Sequence, residues 1–260
     1  MDEKKASKFL QERYGYVDGK VKEHAVAMMR VLHDWYFKYS KEWDASRASL
    51  LEIGGGGSLI NPIVAAPYFK NIVYTDYDPG LTATVKLWKD KQTEMFDWSL
   101  YFNFVYGELA GCGHQEKIDE EQDKLRAKLT HIGHGDYLKD GIIDPAYVPR
   151  EKFQVVVGIY CLELDHGIGD NLTVRLKRIS EVLQENGFIL AIICGEASFW
   201  KPLPNSSEKE IGKLFTLTKE DIKSAFEEAG FKLMEHEIGM ETVTPRHDSK
   251  YRNYLLAQKY

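Results

Sequence analysis

Apolar and polar positions follow one another in the order strand, helix, strand that is typical of an α/β protein. Runs that predict strands cover residues 50–53, 71–75, 129–133, 153–159, 188–194, 231–237 and 251–258. Apolar residues with helical spacing cover residues 3–13, 21–41, 59–68, 81–91, 115–128, 171–184 and 218–229. The run 153–159 is almost wholly apolar, as a central parallel strand should be, so we expect parallel strands in the middle of the sheet.

The first two predicted helices precede the first strand and are therefore an addition to the sheet. The longer one carries a continuous apolar stripe from Val21 to Tyr39. We expect residues 1–45 to form a helical cap that either covers the ligand edge of the sheet or packs on its flank. We expect residues 46–260 to form the core, and the whole chain to be one domain.

Composition excludes several classes of protein. The formal net charge of -6 and a pI of about 5.8 argue against a nucleic-acid binder. No apolar run approaches the ~20 residues of a membrane span, and the first residues lack the apolar core of a signal peptide. The cysteines, Cys112, Cys161 and Cys194, have no metal-site spacing and cannot all pair. We therefore expect a cytoplasmic protein with no metal, nucleic-acid or membrane partner.

Four consecutive glycines, Gly54 to Gly57, separate the first strand from the next helix. Strand, glycine turn and helix in this order are typical of the first βα unit of a nucleotide-binding sheet. Glycines lack a Cβ, so the chain can turn with φ > 0 and a ligand can lie directly on the backbone. A tight turn with no ligand is the simpler interpretation, but four glycines make such a turn costly in conformational entropy.

The sequence around these glycines favours a cationic ligand over a phosphate. The dinucleotide fingerprint G-x-G-x-x-G places its last glycine where this chain has Leu59, and no P-loop lysine follows. Glu52 precedes the glycines, and a carboxylate there would repel a pyrophosphate and attract a cation. S-adenosylmethionine carries a sulfonium, an ammonium and no phosphate. We therefore predict that this turn binds S-adenosylmethionine, whose product is S-adenosylhomocysteine.

Asp76 ends the second predicted strand, about 20 residues past the glycines, where a nucleotide-binding sheet places the acid that accepts hydrogen bonds from ribose hydroxyls. A helix cap is the alternative role for such an acid, although Asp78-Pro79 also fits a cap. Asp136 ends the third strand, and we expect it to accept from the adenine amino group beside Tyr137. A surface turn is the alternative for Asp136.

The carboxyl ends of the later strands should also border the ligand site. Residues 159–164 and 195–200 follow two of these strands. Residues 196–215 have the length of a substrate loop, and residues 239–250 form a second such loop.

With those motifs in place, the chain resembles the methyltransferase family that includes nicotinamide, phenylethanolamine and indolethylamine N-methyltransferases and thioether S-methyltransferase. Its most specific segment is Phe96-Asp97-Trp98-Ser99, which methyltransferases in general lack. The other segments that carry the resemblance are Leu51 to Gly56, Ile72 to Tyr77, Tyr160 to Glu163, Ser198 to Trp200 and Ala257 to Lys259. The resemblance covers nearly the whole chain. It implies a class I, Rossmann-like S-adenosylmethionine-dependent methyltransferase: a seven-stranded mixed sheet with helices on both faces and an N-terminal helical cap.

The resemblance also implies roles for individual residues. Tyr14 falls where the family's lid tyrosine touches the methionine moiety. The other positions implied to bind the cofactor are Gly54, Gly55, Gly56, Asp76, Tyr77, Asp136, Tyr137 and Ile159. The positions expected on the substrate side are Phe9, Tyr16, Glu163, Phe199 and Trp200.

The chain departs from the family at several of these positions. Apolar residues replace side chains that hydrogen-bond the cofactor at Phe9, Ile60 and Leu81. Ile193 lies where nicotinamide enzymes carry an acid. Ala197 aligns with a key acid of the phenylethanolamine enzyme, with Glu196 adjacent, and Asp248 aligns with its second amine-binding acid. Substrate choice is therefore the part of the resemblance that transfers least.

The predicted reaction is an in-line displacement in which a nitrogen lone pair attacks the sulfonium methyl. An alkyl amine is mostly protonated near pH 7 and must first lose its proton. Glu196 and Asp248 are the predicted catalytic residues, because they would bind the ammonium and relay that proton, and Glu163 is a weaker candidate for the same role. Aromatic faces at Tyr16, Phe199 and Trp200 would hold a ring or a cation.

We predict a monomeric enzyme that methylates the nitrogen of a small molecule, either an aromatic or arylalkyl amine or a pyridine-type nitrogen. Two alternatives stay open: a thioether or thiol S-methyltransferase on the same fold, and a cofactor-binding protein without catalysis. The glycine spacing contradicts a NAD(P) oxidoreductase.

Overall fold

The computed structural model describes residues 2–92, 96–110, 115–201, 211–240 and 246–260. The chain divides into two compact units, Met1–His134 and Gly135–Tyr260. The strands form a seven-stranded mixed sheet and a separate three-stranded sheet, which confirms the predicted mixed α/β sheet. The single-domain organisation stays a prediction.

The first unit contains three parallel strands in the order β3-β2-β1. Its strands are β1 (Ser49–Ile53), β2 (Asn71–Asp76) and β3 (Leu129–His134). Its helices are α1 (Glu3–Tyr14), α2 (Glu23–Tyr39), α3 (Ile60–Ala65), α4 (Pro79–Lys89), α5 (Ser99–Phe102) and α6 (Gln115–Lys128). Short 3-10 turns follow α2 and α3 at Ser40–Glu42 and Ala66–Tyr68, and a π-helix, Asn103–Leu109, follows α5. The bounds of the three strands and of α1, α2, α3, α4 and α6 lie close to the predicted ones, whereas α5 and the π-helix were not predicted.

The second unit contributes strands in the order β4-β6-β10-β9, of which β4 and β6 are parallel and the rest antiparallel. These strands are β4 (Phe153–Ile159), β6 (Leu183–Gly195), β9 (Phe231–Met240) and β10 (Tyr251–Lys259). The three-stranded sheet has the order β5-β8-β7, with β5 (Leu164–Asp165), β7 (Phe199–Trp200) and β8 (Gly212–Leu214). The other elements are α7 (Leu172–Val182), α8 (Lys219–Glu228) and a 3-10 turn, Pro145–Tyr147.

Two regions of the second unit differ from the prediction. β6 begins at Leu183, ahead of the predicted strand 188–194, because its first residues already pair with β4 across a register shift. The three-stranded sheet was not predicted, since strands of two or three residues show no periodicity. Of the predicted substrate loops, residues 202–210 and 241–245 lie outside the described residues, as does Cys112.

The N-terminal helices belong to the first unit. α1 buries Ala6, Phe9 and Leu10 and packs on α4, and α2 packs on α3. α1 therefore has a buried packing face. Within the described ranges, no helix is both long and apolar enough to cross a bilayer. The cytoplasmic location and the monomeric state stay predictions.

Candidate active site

The glycine turn after β1 leaves bare backbone at one position and close packing at another. Gly54, Gly56 and Gly57 all have positive φ, at 59°, 63° and 75°, which explains the glycines at these three positions. A Cβ placed on Gly55 would lie 2.3 Å from Cζ of Tyr74, so Gly55 is a glycine because that ring packs on it. A Cβ placed on Gly56 would meet no heavy atom of the described residues within 4 Å. A ligand can therefore lie on the backbone at Gly56.

Asp76, the last residue of β2, hydrogen-bonds both the glycine turn and the turn that follows β2. Its Oδ2 accepts the N–H of Gly56 at 2.7 Å and its Oδ1 accepts the N–H of Asp78 at 2.8 Å. Burial raises the pKa of Asp76 above its ordinary value, and these backbone hydrogen bonds act against that rise. Asp78 caps α4 by accepting from Gly80 at 2.8 Å, so the cap alternative for Asp76 is wrong. Each Asp76 oxygen has a second lone pair for a sugar hydroxyl.

The prediction that Glu52 presents a negative charge to a ligand at this turn is wrong. Glu52 is 2% exposed, and its Oε2 accepts a hydrogen bond from Nδ2 of Asn61 on α3. Asn61 in turn accepts from the hydroxyl of Tyr36 on α2 at 2.7 Å. Burial raises the pKa of Glu52 to about 8, so its carboxyl is mostly protonated at pH 7. The side chain faces these helices instead of presenting a charge to a ligand.

The aromatic residues predicted in the first unit have different degrees of exposure. Tyr77 is 65% exposed, and its ring centroid lies 5.4 Å from that of His134. Phe9 is buried against Tyr14, with ring centroids 6.4 Å apart, while Tyr14 itself is half-buried. Tyr16 is half-buried and donates its hydroxyl hydrogen to the Asp97 carbonyl. Their roles toward cofactor or substrate stay predictions.

Asp136 and Tyr137, the predicted adenine pair, are tightly held in the second unit. Asp136 accepts the N–H of Leu138 at 3.0 Å and pairs with Lys139 at 3.2 Å, bonds typical of a turn. The Tyr137 hydroxyl donates to the Cys161 carbonyl at 2.8 Å. Both side chains are less than a tenth exposed. Adenine binding by this pair stays a prediction, and so does the turn alternative for Asp136.

A fully buried arginine on α7, which was not predicted from the sequence, links several segments of the second unit. Arg175 makes a bidentate pair with Asp170, with both N···O distances 2.9 Å, and donates to the Leu162 carbonyl at 2.8 Å. Its guanidinium lies 5.2 Å from the ring centroid of Tyr137 and 4.7 Å from that of Phe215. Arginine on an amphipathic helix predicts a solvated face, so the sequence offers no signal for this role.

Glu163, four residues after the end of β4, has an incompletely satisfied buried carboxyl. It is 1% exposed, and its Oε1 accepts the Cys194 N–H at 3.0 Å. Its Oε2 has no hydrogen-bond partner among the described residues. Burial raises the pKa of Glu163 to about 7, while the hydrogen bond from Cys194 and the charge of Arg175 oppose that rise. A buried polar atom without a partner is rare and calls for an explanation.

The two acids predicted to be catalytic are already engaged. Glu196, with φ of 48°, binds Lys250 Nζ at 2.5 Å and accepts from the Tyr251 hydroxyl at 3.3 Å. The hydrogen bond from Lys250 is the main cause that lowers the pKa of Glu196. Asp248 accepts from the N–H and hydroxyl of Ser198, at 2.8 and 2.6 Å, and from the Phe199 N–H at 3.2 Å. Burial acts to raise the pKa of Asp248, but these bonds lower it.

The structure brings Asp248 together with the predicted substrate aromatics. Phe199 and Trp200 form β7 and are half-buried, and Trp200 packs against Cys194, Ala197 and Leu214. Lys201 Nζ lies 5.7 Å from the centroid of the Phe199 ring. Ile159, the last residue of β4, is half-buried opposite Ile192 of β6.

The residues of the first unit fit S-adenosylmethionine. Open backbone at Gly56 admits a ligand, and Asp76 has lone pairs for ribose hydroxyls. The first turn of α3 carries no acidic or basic residue, so it has no lysine for a phosphate. Among the described residues, no cluster of His, Cys, Asp or Glu is suited to a metal ion.

Comparison with known proteins gives consistent relatives. The model of the NNMT/PNMT/TEMT family matches residues 2–253. Nicotinamide N-methyltransferase of Homo sapiens is 25% identical over 192 residues, which are 73% of this chain and 68% of that protein. Indolethylamine N-methyltransferase of Mus musculus is 23% identical over 185 residues, 71% of this chain and 66% of that protein. Phenylethanolamine N-methyltransferase of Sus scrofa is 22% identical over 193 residues, 73% and 64% of the two chains.

Solved structures support the fold. A SAM-dependent methyltransferase from Methanosarcina mazei has a TM-score of 0.55 at 9% identity, covering 84% of this chain and 95% of that chain. A SAM-dependent methyltransferase from Clostridium acetobutylicum has a TM-score of 0.50 at 12% identity, covering 89% and 92%. The predicted class I, Rossmann-like fold is therefore confirmed. Since the family model matches nearly the whole chain, the protein belongs to the NNMT/PNMT/TEMT family and is a methyltransferase whose cofactor is S-adenosylmethionine.

Proposed function

We propose that the protein transfers the methyl group to the nitrogen of a small-molecule amine and that Glu163 takes up the proton the amine must lose. The observation that carries the proposal is the buried Glu163 carboxyl with an unpartnered Oε2 and a pKa raised to about 7. The names of the relatives, which are nicotinamide, indolethylamine and phenylethanolamine N-methyltransferases, support nitrogen as the acceptor atom.

The chemistry requires a group with such a pKa. S-adenosylmethionine, when bound, supplies a methyl group that the sulfonium already activates. The residues of the protein therefore have two tasks, which are to align the acceptor and to remove its proton. A protonated amine has no lone pair with which to attack. A carboxylate whose pKa lies near the working pH is the most effective base, since it is both ionised and sufficiently basic.

Glu196 and Asp248 are less suited to act as bases. Their pKa values are lowered, and a weak base accepts a proton less readily than Glu163 does. The bonds of Asp248 to Ser198 and Phe199 fix the start of β7. We assign Asp248 to holding the aromatic residues Phe199 and Trp200 toward the acceptor, and Glu196 to binding acceptor cations in competition with Lys250.

The cofactor roles form the other part of the proposal. Gly56 offers its backbone to the cofactor, and Asp76 binds the ribose hydroxyls. The remaining proposed cofactor residues are Tyr14, Gly54, Gly55, Tyr77, Asp136, Tyr137 and Ile159. Asp76→Ala should weaken S-adenosylhomocysteine binding in calorimetry, since two charge-assisted bonds to the sugar would be lost.

The test is an acceptor panel followed by a pH profile. We would incubate the protein with S-adenosylmethionine and arylalkyl amines, nicotinamide or dialkyl thioethers, and detect methylated products by mass spectrometry. The expected result is N-methylation of an amine whose kcat/KM falls as the pH drops below about 7, where Glu163 gains a proton. Methylation of thioethers alone would support the S-methyltransferase alternative. Cofactor binding without turnover would support the non-catalytic one.

A further inference from the structure

The segment Phe96-Asp97-Trp98-Ser99 is specific to the resemblance, yet none of the proposed roles uses it. Trp98 is 2% exposed. α5 begins at Ser99, whose N–H is capped by Oδ1 of Asp97 at 2.9 Å. Tyr101, on the first turn of this helix, is fully buried. Trp98 and Tyr101 therefore anchor this part of the chain in the core of the first unit.

Three hydrogen bonds connect residues 97–101 to Tyr14 and Tyr16, where α1 ends. The Tyr101 hydroxyl donates to the Tyr14 carbonyl at 2.7 Å. The Tyr16 hydroxyl donates to the Asp97 carbonyl and accepts the Leu100 N–H at 3.3 Å. These bonds link residues that are more than 80 positions apart in the sequence. They fix the backbone at the point where the chain leaves α1.

Aromatic contacts reinforce the same junction. The ring of Trp98 lies 4.7 Å from that of Phe96, 4.9 Å from that of Tyr101 and 5.5 Å from that of Tyr14, measured between centroids. The ring of Tyr16 lies 6.1 Å from that of Tyr101. Pairs at these separations stabilise one another beyond the burial of their surface. Both tyrosines of the N-terminal segment thus pack on rings of residues 96–101.

α1 lies against the cofactor turn. A Cβ placed on Gly57 would lie 3.2 Å from Cδ2 of Leu10, so the Leu10 side chain sits directly beside that glycine. Leu10 is 1% exposed, and α1 packs on α4. A helix of 12 residues is marginal by itself in water. Its place beside Gly57 therefore depends on contacts at its two ends and along its buried face.

We propose that residues 96–101 are a latch that holds α1 against the glycine turn and thereby controls how long the cofactor or its product stays bound. Tyr101 and Tyr16 are its positioning residues, because their hydroxyls bond backbone groups on the other side of the junction. The proposal rests on cofactor binding at the glycine turn. It does not depend on the identity of the acceptor.

The test compares the removal of tyrosine hydroxyls inside the latch with the removal of a tyrosine hydroxyl outside it. Tyr101→Phe and the double variant Tyr16→Phe/Tyr101→Phe remove latch hydrogen bonds. Tyr106→Phe is the control, since the buried Tyr106 hydroxyl also donates to a backbone carbonyl, that of Ile63 on α3, at 3.1 Å. We would measure the dissociation rate of S-adenosylhomocysteine by stopped-flow and the hydrogen exchange of residues 3–16 by mass spectrometry.

We expect Tyr101→Phe to speed product release about threefold to tenfold, the effect of one lost hydrogen bond. The double variant should release it faster still. Amide exchange in residues 3–16 should rise in both, and Tyr106→Phe should change neither quantity, even if it lowers the melting temperature equally.

Three results would overturn the latch. The first is unchanged exchange in α1 of the double variant, and the second is faster exchange with unchanged product release. The third is an equal effect in Tyr106→Phe, which would mean general destabilisation. All three are measured without an acceptor, so an enzyme that fails to methylate amines would contradict the proposed function and leave this test intact.

Discussion

Glu52, near the end of β1, and Glu163, four residues after β4, are both buried acids, but the hydrogen bonds of their carboxyls differ. Oε2 of Glu52 accepts from Asn61 on α3, and Asn61 in turn accepts from the hydroxyl of Tyr36 on α2. Glu163 has one oxygen bonded to the Cys194 N–H and one without a partner among the described residues. Burial raises the pKa of both, to about 8 and about 7.

The comparison teaches that burial alone does not identify a functional acid. A raised pKa is shared by structural and functional carboxyls, because desolvation disfavours the ionised form in either case. The two acids differ in their hydrogen bonds: Oε2 of Glu163 has no partner among the described residues, and such a buried atom calls for an explanation. Glu52 therefore has a structural role in this comparison, whereas Glu163 is the proposed base, and substitutions can separate the two roles.

The largest effect should come from removing the charge that faces Glu163. Arg175→Met leaves Asp170, whose side chain is 7% exposed, without its bidentate partner. Breaking a buried pair in this way costs ~3–5 kcal/mol, so the free energy of unfolding in a urea titration should fall by about that much. The pKa of Glu163 should also rise, because the Arg175 charge lowers it. The acid limb of the pH profile would then move to higher pH.

Arg178→Met is the control for this change. Arg178 also lies on α7, but its main partner Asp140 is 89% exposed, and it approaches Asp170 only at 3.8 Å. Such pairs contribute about 1 kcal/mol or less. Equal losses of stability in the two variants would contradict a structural role for the buried pair.

Glu163→Gln should have the next largest effect. Glutamine keeps an acceptor for the Cys194 N–H but cannot take up a proton. Loss of a general base typically costs about 100-fold or more, and we expect that reduction in kcat/KM for an amine with unchanged S-adenosylhomocysteine affinity. Glu52→Gln is the matched control and should stay within a few-fold of the wild type. The reverse pattern, in which Glu52→Gln is inactive and Glu163→Gln active, would break the distinction between the two acids.

The contribution of Glu52 should appear in stability. The folded pKa of about 8 lies above the unfolded value of 4.5. The stability that the protonated carboxyl contributes is therefore fully present below pH 4.5 and is lost as the pH rises through about 8. The slope for one proton is at most about 1.4 kcal/mol per pH unit. Urea titrations from pH 5 to 8 should show a shallower decline in Glu52→Gln than in the wild type, and equal slopes would contradict the burial of an ionisable Glu52.

The parts of the fold that the sequence predicts are those with a local signal. The apolar run of β4 and the glycines after β1 each determine their structure within a few residues, and both were placed correctly. The charge of Glu52 was misjudged because side chains alternate along a strand. Its position two residues before the first glycine does not direct its carboxyl to that turn, since the carboxyl is bonded to Asn61 on α3.

The partners of a buried polar group are the part of the site that cannot be predicted from the sequence. The residues around Glu163 in the sequence do not indicate that Cys194 lies beside it or that Arg175 is buried. Cys194 is 31 positions from Glu163 along the chain. Arg175 is 13 positions from Leu162, whose carbonyl it binds. A polar residue in an amphipathic helix predicts solvent exposure unless tertiary contacts cover it. The three-stranded sheet was missed for a related reason, because its strands pair only with distant segments.

Tyr36→Phe should have the smallest effect and tests the structural side of the comparison. The hydroxyl of Tyr36, which is 2% exposed, donates to Oδ1 of Asn61 at 2.7 Å. Its removal leaves that oxygen without this bond and should lower the free energy of unfolding by about 1 kcal/mol, as measured by urea titration. Tyr106→Phe removes a similar hydrogen bond and provides the reference. If Glu52 belongs to the fold alone, combining Tyr36→Phe with Glu52→Gln should show a coupling in stability and none in kcat/KM. A loss of turnover in Tyr36→Phe beyond that of Tyr106→Phe would mean that this chain of hydrogen bonds reaches the reacting groups, and Glu52 would then belong with Glu163.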